Sequence, residues 1–450
     1  MNRTASLAAL SAALLALAAC GKASDLPSSA TYGPDVKLTA PDPNGPIPTL
    51  NPAKAVGWPA GGAPTAPAGF TVTRFAEGLA HPRWLYLLPN GDVLVVESNS
   101  PARKKTSLTD WVAAAVFKRA GADAASANQI TLLRDADGNG APEQRTVFLK
   151  GLNSPLGVAL VGETLYVANT DSVMAFPYTP GATTITAPGV KIADLPAGAP
   201  NQHWVRNLLA SPDGKTLYVS VGSHSNLAEG GIDKEARRAG ILAIDLASKT
   251  ERVFATGLRN PVGMAFEPTG GALWTAVNER DMLGNDLVPD YMTSVQDGGH
   301  YGWPWSYYGQ HVDARMQPQR PDMVAKAIVP DYALGAHTAS LGLAFYPAIP
   351  VVELAAGQTA PASFPARYAL GAFVGQHGSW NRKPASGYKV VFVPFAGGKP
   401  NGAAEDFLTG FLDAKGQAQG RPVGVAVDRT GALLVADDVG NVVWRVSAAR

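Results

Sequence analysis

From Gly69 onward the chain repeats one pattern of apolar and polar positions. Each copy opens on a glycine or asparagine turn, usually with a proline nearby, and runs into a strand of alternating apolar residues. A Pro-Asn-Gly or Pro-Asp-Gly type turn follows, then a second apolar strand. Period-two alternation marks half-buried strands, and the turn residues suit tight hairpins. The copies begin at Gly78 (GLAHPRWLYLLPNGDVLVVES), Gly151 (GLNSPLGVALVGETLYVAN), Asn201 (NQHWVRNLLASPDGKTLYVSVG) and Gly257 (GLRNPVGMAFEPTGGALWTAVN). A diverged fifth copy runs through SLGLAFYP from Ser340 and FPARYALGAFVGQHG from Phe364, and the sixth is GRPVGVAVDRTGALLVADDVGNVVWRV from Gly420.

The intervals leave room for two further strands per copy, as in QITLLRDADGNG, GILAIDLASKTERVFATG and YKVVFVPFAGG. Four strands repeated six times predict an all-β, six-bladed β-propeller over residues 69–450. The period of two argues against a helical solenoid, and a sandwich leaves the recurring leading turn unexplained. One helix is predicted from Leu108 to Arg119, opened by a Ser or Thr cap and closed by Gly121, as an insertion in the first blade. From Gly257 to Gly309 the pattern predicts a strand pair followed by one long loop. The run Asp135 to Gly140 looks like the start of an EF-hand, but no glutamate stands at the twelfth position, so it reads as a hairpin turn.

Composition sharpens this picture at two points. Among 450 residues the net charge is +1, so no overall field favours nucleic acid, and any anionic ligand must be met by a local cluster of arginines. The single cysteine is Cys20. It follows Arg3 and an apolar run from Leu7 to Ala19, and Leu17-Ala18-Ala19-Cys20-Gly21 resembles a bacterial lipobox. The expectation is a signal peptide over 1–19, with Cys20 acylated. Residues 20–68, with ten prolines between Asp25 and Ala68, then form a lipid-anchored extended tether. That places the protein on the periplasmic side of a bacterial membrane, the outer membrane by preference, held only by its N-terminal lipid. Trp58 is the tether residue expected to pack on the domain.

In a propeller the innermost strands line a central channel, and the loops at one mouth converge. The leading turns carry His203 and Arg206, Arg259 and Asn260, and Arg421; the fifth copy adds the run from Gln376 to Lys383, including Arg382. Several cations at one mouth predict a compact anionic ligand. The acidic run from Glu279 to Asp290 offers oxygen donors for a hard cation. His81, His224 and His311 read as structural, while His300, His337 and His377 stay open.

His203 with Arg206, GLRNP, NERD with DLVPDY, GGHYGWP and HGSWNR together resemble the sorbosone and pyranose dehydrogenase branch of the pyrroloquinoline quinone (PQQ) sugar dehydrogenases. The resemblance runs from about Gly69 to the C-terminus. It implies PQQ and calcium at the mouth and oxidation of a sugar or related alcohol or aldehyde. By resemblance His203 is the catalytic base, and Arg259 assists catalysis while contacting the cofactor with Asn260. Arg206, Arg382, Lys383 and Arg421 fall at basic contacts to PQQ. Calcium would meet the backbone carbonyls of Arg280 and Asp281, with Glu279 or Asp286. This chain departs from the better-studied glucose dehydrogenases by Arg280-Asp281 in place of Gly-Pro and by a lone Arg421. No Cys-x-x-Cys-His motif is present, so electrons would pass to a separate quinone or cytochrome. The alternative is a non-catalytic, membrane-tethered propeller binding a glycan or partner protein, because fold alone does not choose. A calcium-dependent lactone hydrolase would need a nest of carboxylates where this mouth is basic.

Overall fold

A computed structural model of the chain describes residues 23–42, 49–102, 108–348 and 364–449. Cys20 and the expected cap residues of the helix lie outside them. Six antiparallel sheets follow one another along the chain. The first consists of Pro82–Leu87, Val93–Glu97, Gln129–Arg134 and Gln144–Lys150; the second of Val158–Val161, Thr164–Ala168, Ser172–Pro177 and Val190–Asp194. Arg206–Ala210, Thr216–Val221, Gly240–Asp245 and Glu251–Thr256 make the third. The fourth has Pro261–Phe266, Leu273–Val277, Pro289–Ser294 and Tyr332–Ala336, and the fifth has Ser340–Phe345, Ala372–Gln376, Lys389–Val393 and Glu405–Leu408. In the sixth, Pro422–Val427, Leu433–Asp437 and Val442–Ala448 are completed by Phe70–Glu77 from the start of the domain, which pairs with Val442–Ala448 and closes the ring. The six-bladed propeller is therefore the fold, and every repeat read from the sequence supplies an innermost strand.

Each innermost strand contributes to one apolar plug. Trp84, Leu156, Val205, Val262, Leu341 and Val423, one near the start of each blade, fall in a single buried cluster. Burying such side chains is worth about 1.5–3 kcal/mol each, so the channel beneath the mouth is packed rather than open. Glycines recur here because neighbouring blades approach too closely for a side chain. A Cβ on Gly157 would stand 2.2 Å from the Leu208 nitrogen, and one on Gly342 would stand 2.1 Å from the Val423 oxygen.

The helix occupies Leu108–Arg119, as expected, and Gly121 ends it at φ +78°. Asp135 to Gly140 lies between two hairpin strands, with carboxylates of Asp135 and Asp137 accepting from the Asn139 amide. Asp135, Asp137 and Glu143 are the one group of carboxylates at metal-binding spacing among the described residues, and their hairpin lies at the end of the first blade opposite its leading turn.

Two expectations need correction. The stretch after Asn278 is not one loop: Pro289–Ser294, buried along nearly its whole length, pairs as the third strand of the fourth blade. Burial on both faces removes the alternation that would have revealed it. Nor do the described parts of 20–68 behave as an extended tether. Tyr32–Gly33 adds a fifth strand beside Tyr332–Ala336. Backbone amides of Ser24, Asp42, Asn51 and Val56 bond to the carbonyls of Lys383, Leu283, Trp380 and Ala418. Trp58 lies edge-on to Phe411 and Trp444, and its indole nitrogen bonds to Asp437 at 2.7 Å. The prolines prevent a regular strand, yet the amides between them find rim carbonyls, and the aromatic face leaves water.

Candidate active site at the propeller mouth

The leading turns of the blades and the ends of their second strands share one end of the ring, because those strands pair antiparallel. His203 stands there, on the loop leading into the third blade. Its Nδ1 is 2.9 Å from Ser223 Oγ and 3.1 Å from the Ser223 carbonyl. A carbonyl can only accept, so Nδ1 carries the proton and Nε2 presents a lone pair. Among the described residues Nε2 makes no hydrogen bond. Its pKa lies well below the ordinary value, through burial first and the Arg259 guanidinium second. The imidazole is a neutral base.

Asn260 adjoins it. A Cβ on Gly222 would fall 2.3 Å from Asn260 Oδ1 and 2.5 Å from His203 Cβ, so only glycine lets the two side chains meet. Asn260 is 5% exposed, and its Oδ1 has no partner among the described residues. Arg259 is held from several sides: Nη1 reaches the Glu279 carbonyl at 2.6 Å, and Nη2 reaches Asn226 Oδ1 at 2.8 Å and Asp281 Oδ2 at 3.2 Å. Asn226 Oδ1 also accepts from the Asp281 amide. Asp281 continues the arc to the fifth blade, taking Asn381 Nδ2 at 2.7 Å beside His337. Burial would raise the Asp281 carboxyl, but His337 and Arg259 outweigh it and bring it down to about 2.

The residues named for calcium are engaged otherwise. The Arg280 guanidinium donates to the Asp281 carbonyl through Nη2 at 2.8 Å and Nε at 3.1 Å, and it forms a buried ion pair with Asp313. The Glu279 carbonyl faces Arg259. The Glu279 carboxyl is raised to about 7 by burial and accepts from the Arg280 amide. Asp286 pairs with Arg382 at 2.8 Å and takes the Ser24 hydroxyl. With guanidinium groups on the Glu279 and Asp281 carbonyls and on the Asp286 carboxylate, the donor set as it stands does not fit a cation at this turn.

The remaining basic residues divide. Arg421 lies at the mouth, bonding the carbonyls of His377 and Gly378 with its guanidinium 5.2 Å from the Tyr388 ring. Arg382 is fully buried and tied to Pro384, Leu26 and Asp286, so it clamps the N-terminal segment. Lys383 is exposed and engages Asn285 through its backbone. Arg206 points into its own loop, bonding the carbonyls of His203, Val205 and Pro196 and the Asn201 side chain. The terminal nitrogens of Arg206 and Arg382 are therefore taken up by the protein. Position in the repeat located their backbones, but it does not say which way a long side chain turns.

A second cluster escaped the sequence reading. Asp438, at the end of a second strand, takes Arg83 Nη1 at 2.5 Å, His377 Nε2 at 2.8 Å and lies 3.3 Å from His81 Nε2. His81, read as structural, thus belongs to the mouth. His377 is pushed down to about 3 by burial first and Arg421 second. Arg83 lies 5.7 Å from the Trp204 ring, next to His203, and so joins this cluster to the base. Its Nε and Asp438 Oδ1 are buried without partners among the described residues. The basic HPR turn and the Asp-Asp pair were visible, but their meeting depends on the ring closing between the first and last blades. The unpartnered Arg83 Nε, with the Arg259 and Arg421 guanidinium groups at the same mouth, fits an anionic cofactor such as PQQ, while Asn260 Oδ1 and Asp438 Oδ1 are left to accept from a donor.

A six-bladed propeller whose mouth gathers a neutral imidazole, fixed arginines and unpartnered polar atoms belongs to the class of cofactor-binding propellers. The chain belongs to the TrAA12-like family, whose model matches residues 64–293 and 309–449. A PQQ-dependent sugar dehydrogenase of Hypocrea jecorina is 24% identical over 270 residues, covering 54% of this chain and 57% of that protein. The holo PQQ domain of pyranose dehydrogenase from Coprinopsis cinerea superposes with a TM-score of 0.64 at 22% identity, covering 86% of this chain and 97% of that one. The calcium structure of the Trichoderma reesei family AA12 enzyme gives 0.66 at 19% identity, covering 90% and 100%.

Proposed function

We propose that the protein is a PQQ-dependent dehydrogenase of a sugar or related alcohol or aldehyde, of the sorbosone and pyranose dehydrogenase type. The observation that carries this is the neutral His203, with Nε2 free, on the same rim as Arg259 and the unpartnered Asn260. PQQ bound at this mouth would supply the hydride acceptor. His203 Nε2 takes the proton from the substrate hydroxyl. Arg259, fixed by its carbonyl and carboxylate partners, would hold positive charge beside the reacting oxygens. Asn260 would orient the cofactor, and Arg421 and Arg83 would meet its anionic groups. The apolar plug keeps water from below.

Calcium joins the proposal through likeness to the T. reesei structure. At the Arg280-Asp281 turn it would bind only with Arg280 turned away from the Asp281 carbonyl. Electrons leave to a separate quinone or cytochrome. The lipobox supports an acylated Cys20 and a place on the periplasmic side of a bacterial membrane, by preference the outer one. Lipid labelling that survives Cys20→Ala would overturn the anchor.

The test is PQQ titration by fluorescence, with and without calcium, followed by dye-linked oxidation of a panel of aldoses and alcohols. His203→Ala should retain PQQ affinity and lose turnover by roughly 100-fold or more. If the wild type binds no PQQ, a glycan- or protein-binding propeller becomes the better account.

A further inference from the structure

Beside His203 lie two buried guanidinium groups that have no ion pair among the described residues. Arg206 Nη1 donates to the carbonyls of His203 and Val205, both at 2.7 Å. Its Nη2 donates to the Pro196 carbonyl at 2.6 Å and to Asn201 Oδ1 at 3.0 Å. Arg238 Nη1 shares that same amide oxygen at 3.0 Å and approaches the Gly222 carbonyl at 3.5 Å. The Asn201 amide nitrogen reaches Thr170 Oγ1, whose hydroxyl donates to the Trp204 carbonyl at 2.7 Å. Residues on both sides of His203 are thus gripped by one network, made through backbone carbonyls and the Asn201 side chain.

We propose that Arg206 is a positioning residue for His203, bracing residues 196–206 through Asn201 with Arg238 while leaving an uncompensated positive charge behind the imidazole. The proposal rests on reading His203 as the base. A guanidinium withdrawn from water is ordinarily matched by a carboxylate, and here the acceptors are neutral carbonyls and one amide. Asp171 and Glu235 act on the two arginines only at longer range. The unmatched charge has a consequence for His203. The charged groups acting on it are Arg259 and Asp281 from the fourth blade and, from its own loop, Arg206. Two of the three oppose a second positive charge there, which supports the geometric argument. A planar fork is needed for the bracing, because four acceptors in different directions exceed what a lysine ammonium reaches from one point. The charge itself does not need the fork. Arg206→Lys and Arg206→Met separate the two roles.

The experiment measures PQQ affinity, kcat, the pH profile of kcat/KM, and amide hydrogen exchange across 196–206 in both variants. Both are expected to bind PQQ within about twofold of wild type, to lose about tenfold or more in kcat, and to exchange faster across 196–206. The acid limb of kcat/KM should move to higher pH in Arg206→Met and stay in place in Arg206→Lys. A tenfold loss of PQQ affinity in Arg206→Lys would restore Arg206 as a cofactor contact and overturn the proposal. So would unchanged kcat and exchange in either variant. If Arg206→Met does not fold, Arg206→Lys decides by its lost kcat with an unmoved acid limb. A wild type that binds no PQQ removes the dehydrogenase reading, while the exchange measurement still tests the bracing.

Discussion

Ser223 Oγ lies 2.9 Å from His203 Nδ1 and gives its own proton to the Ser225 carbonyl at 2.6 Å. The hydroxyl is therefore an acceptor towards the imidazole, which fixes one tautomer, and it carries no charge. A serine behind a base orients it and, being uncharged, favours its protonated form less than a carboxylate would.

Replacing that neutral acceptor with a carboxylate should change the pH dependence. Ser223→Asp is expected to raise the His203 pKa, so the acid limb of kcat/KM moves to higher pH. Ser223→Ala keeps the backbone acceptor and should cost about fivefold in kcat with the limb unmoved. A limb that ignores the carboxylate would remove His203 from the role of base.

Acid should weaken the fold through His377. The folded imidazole is lowered from 6.5 to about 3, so it stays neutral while the unfolded chain takes up a proton. For a group depressed in this way, stability is complete above about pH 6.5 and falls as pH drops towards 3. The slope is about 1.4 kcal/mol per pH unit for one proton. His377→Gln removes that proton. Urea midpoints between pH 6.5 and 4 should therefore fall less steeply in the variant; parallel curves would show that His377 titrates normally.

The close approach at Gly222 makes a steric prediction. Gly222→Ala places a methyl against Asn260 Oδ1 and His203 Cβ, and both sides belong to the mouth. PQQ affinity and kcat should both fall, by about tenfold or more, since a shift near 1 Å misaligns base and cofactor. Wild-type values in this variant would show that the two side chains yield without cost.

At the Arg280-Asp281 turn the expected response concerns metal. Arg280→Ala uncovers the Asp281 carbonyl and removes a fixed charge, so calcium titration by calorimetry should show tighter binding than in the wild type. The same change leaves Asp313 buried without its partner and should lower stability by about 3–5 kcal/mol. Equal calcium affinity in both proteins would mean that Arg280 does not compete for that oxygen.

The sequence by itself determined the blades. Apolar alternation between Pro-Asn-Gly type turns is a local property, and strands such as Pro82–Leu87, Arg206–Ala210 and Pro422–Val427 form where the pattern stands. It also fixed which backbones reach the mouth, since His203, Arg259, Asn260 and Arg421 occupy equivalent turns. Tertiary structure alone decided where side chains point and which distant segments meet. Arg206 turns inward to the carbonyls of its own loop, and Arg280 caps the Asp281 carbonyl. Arg83 finds Asp438 across 355 residues only because Phe70–Glu77 closes the ring. Pro289–Ser294 hid its strand by being buried on both faces, and the proline-rich segment hid its packing because its partners lie on other blades. A periodic pattern encodes local conformation, whereas the partners of a charged side chain depend on contacts that no neighbouring residue specifies.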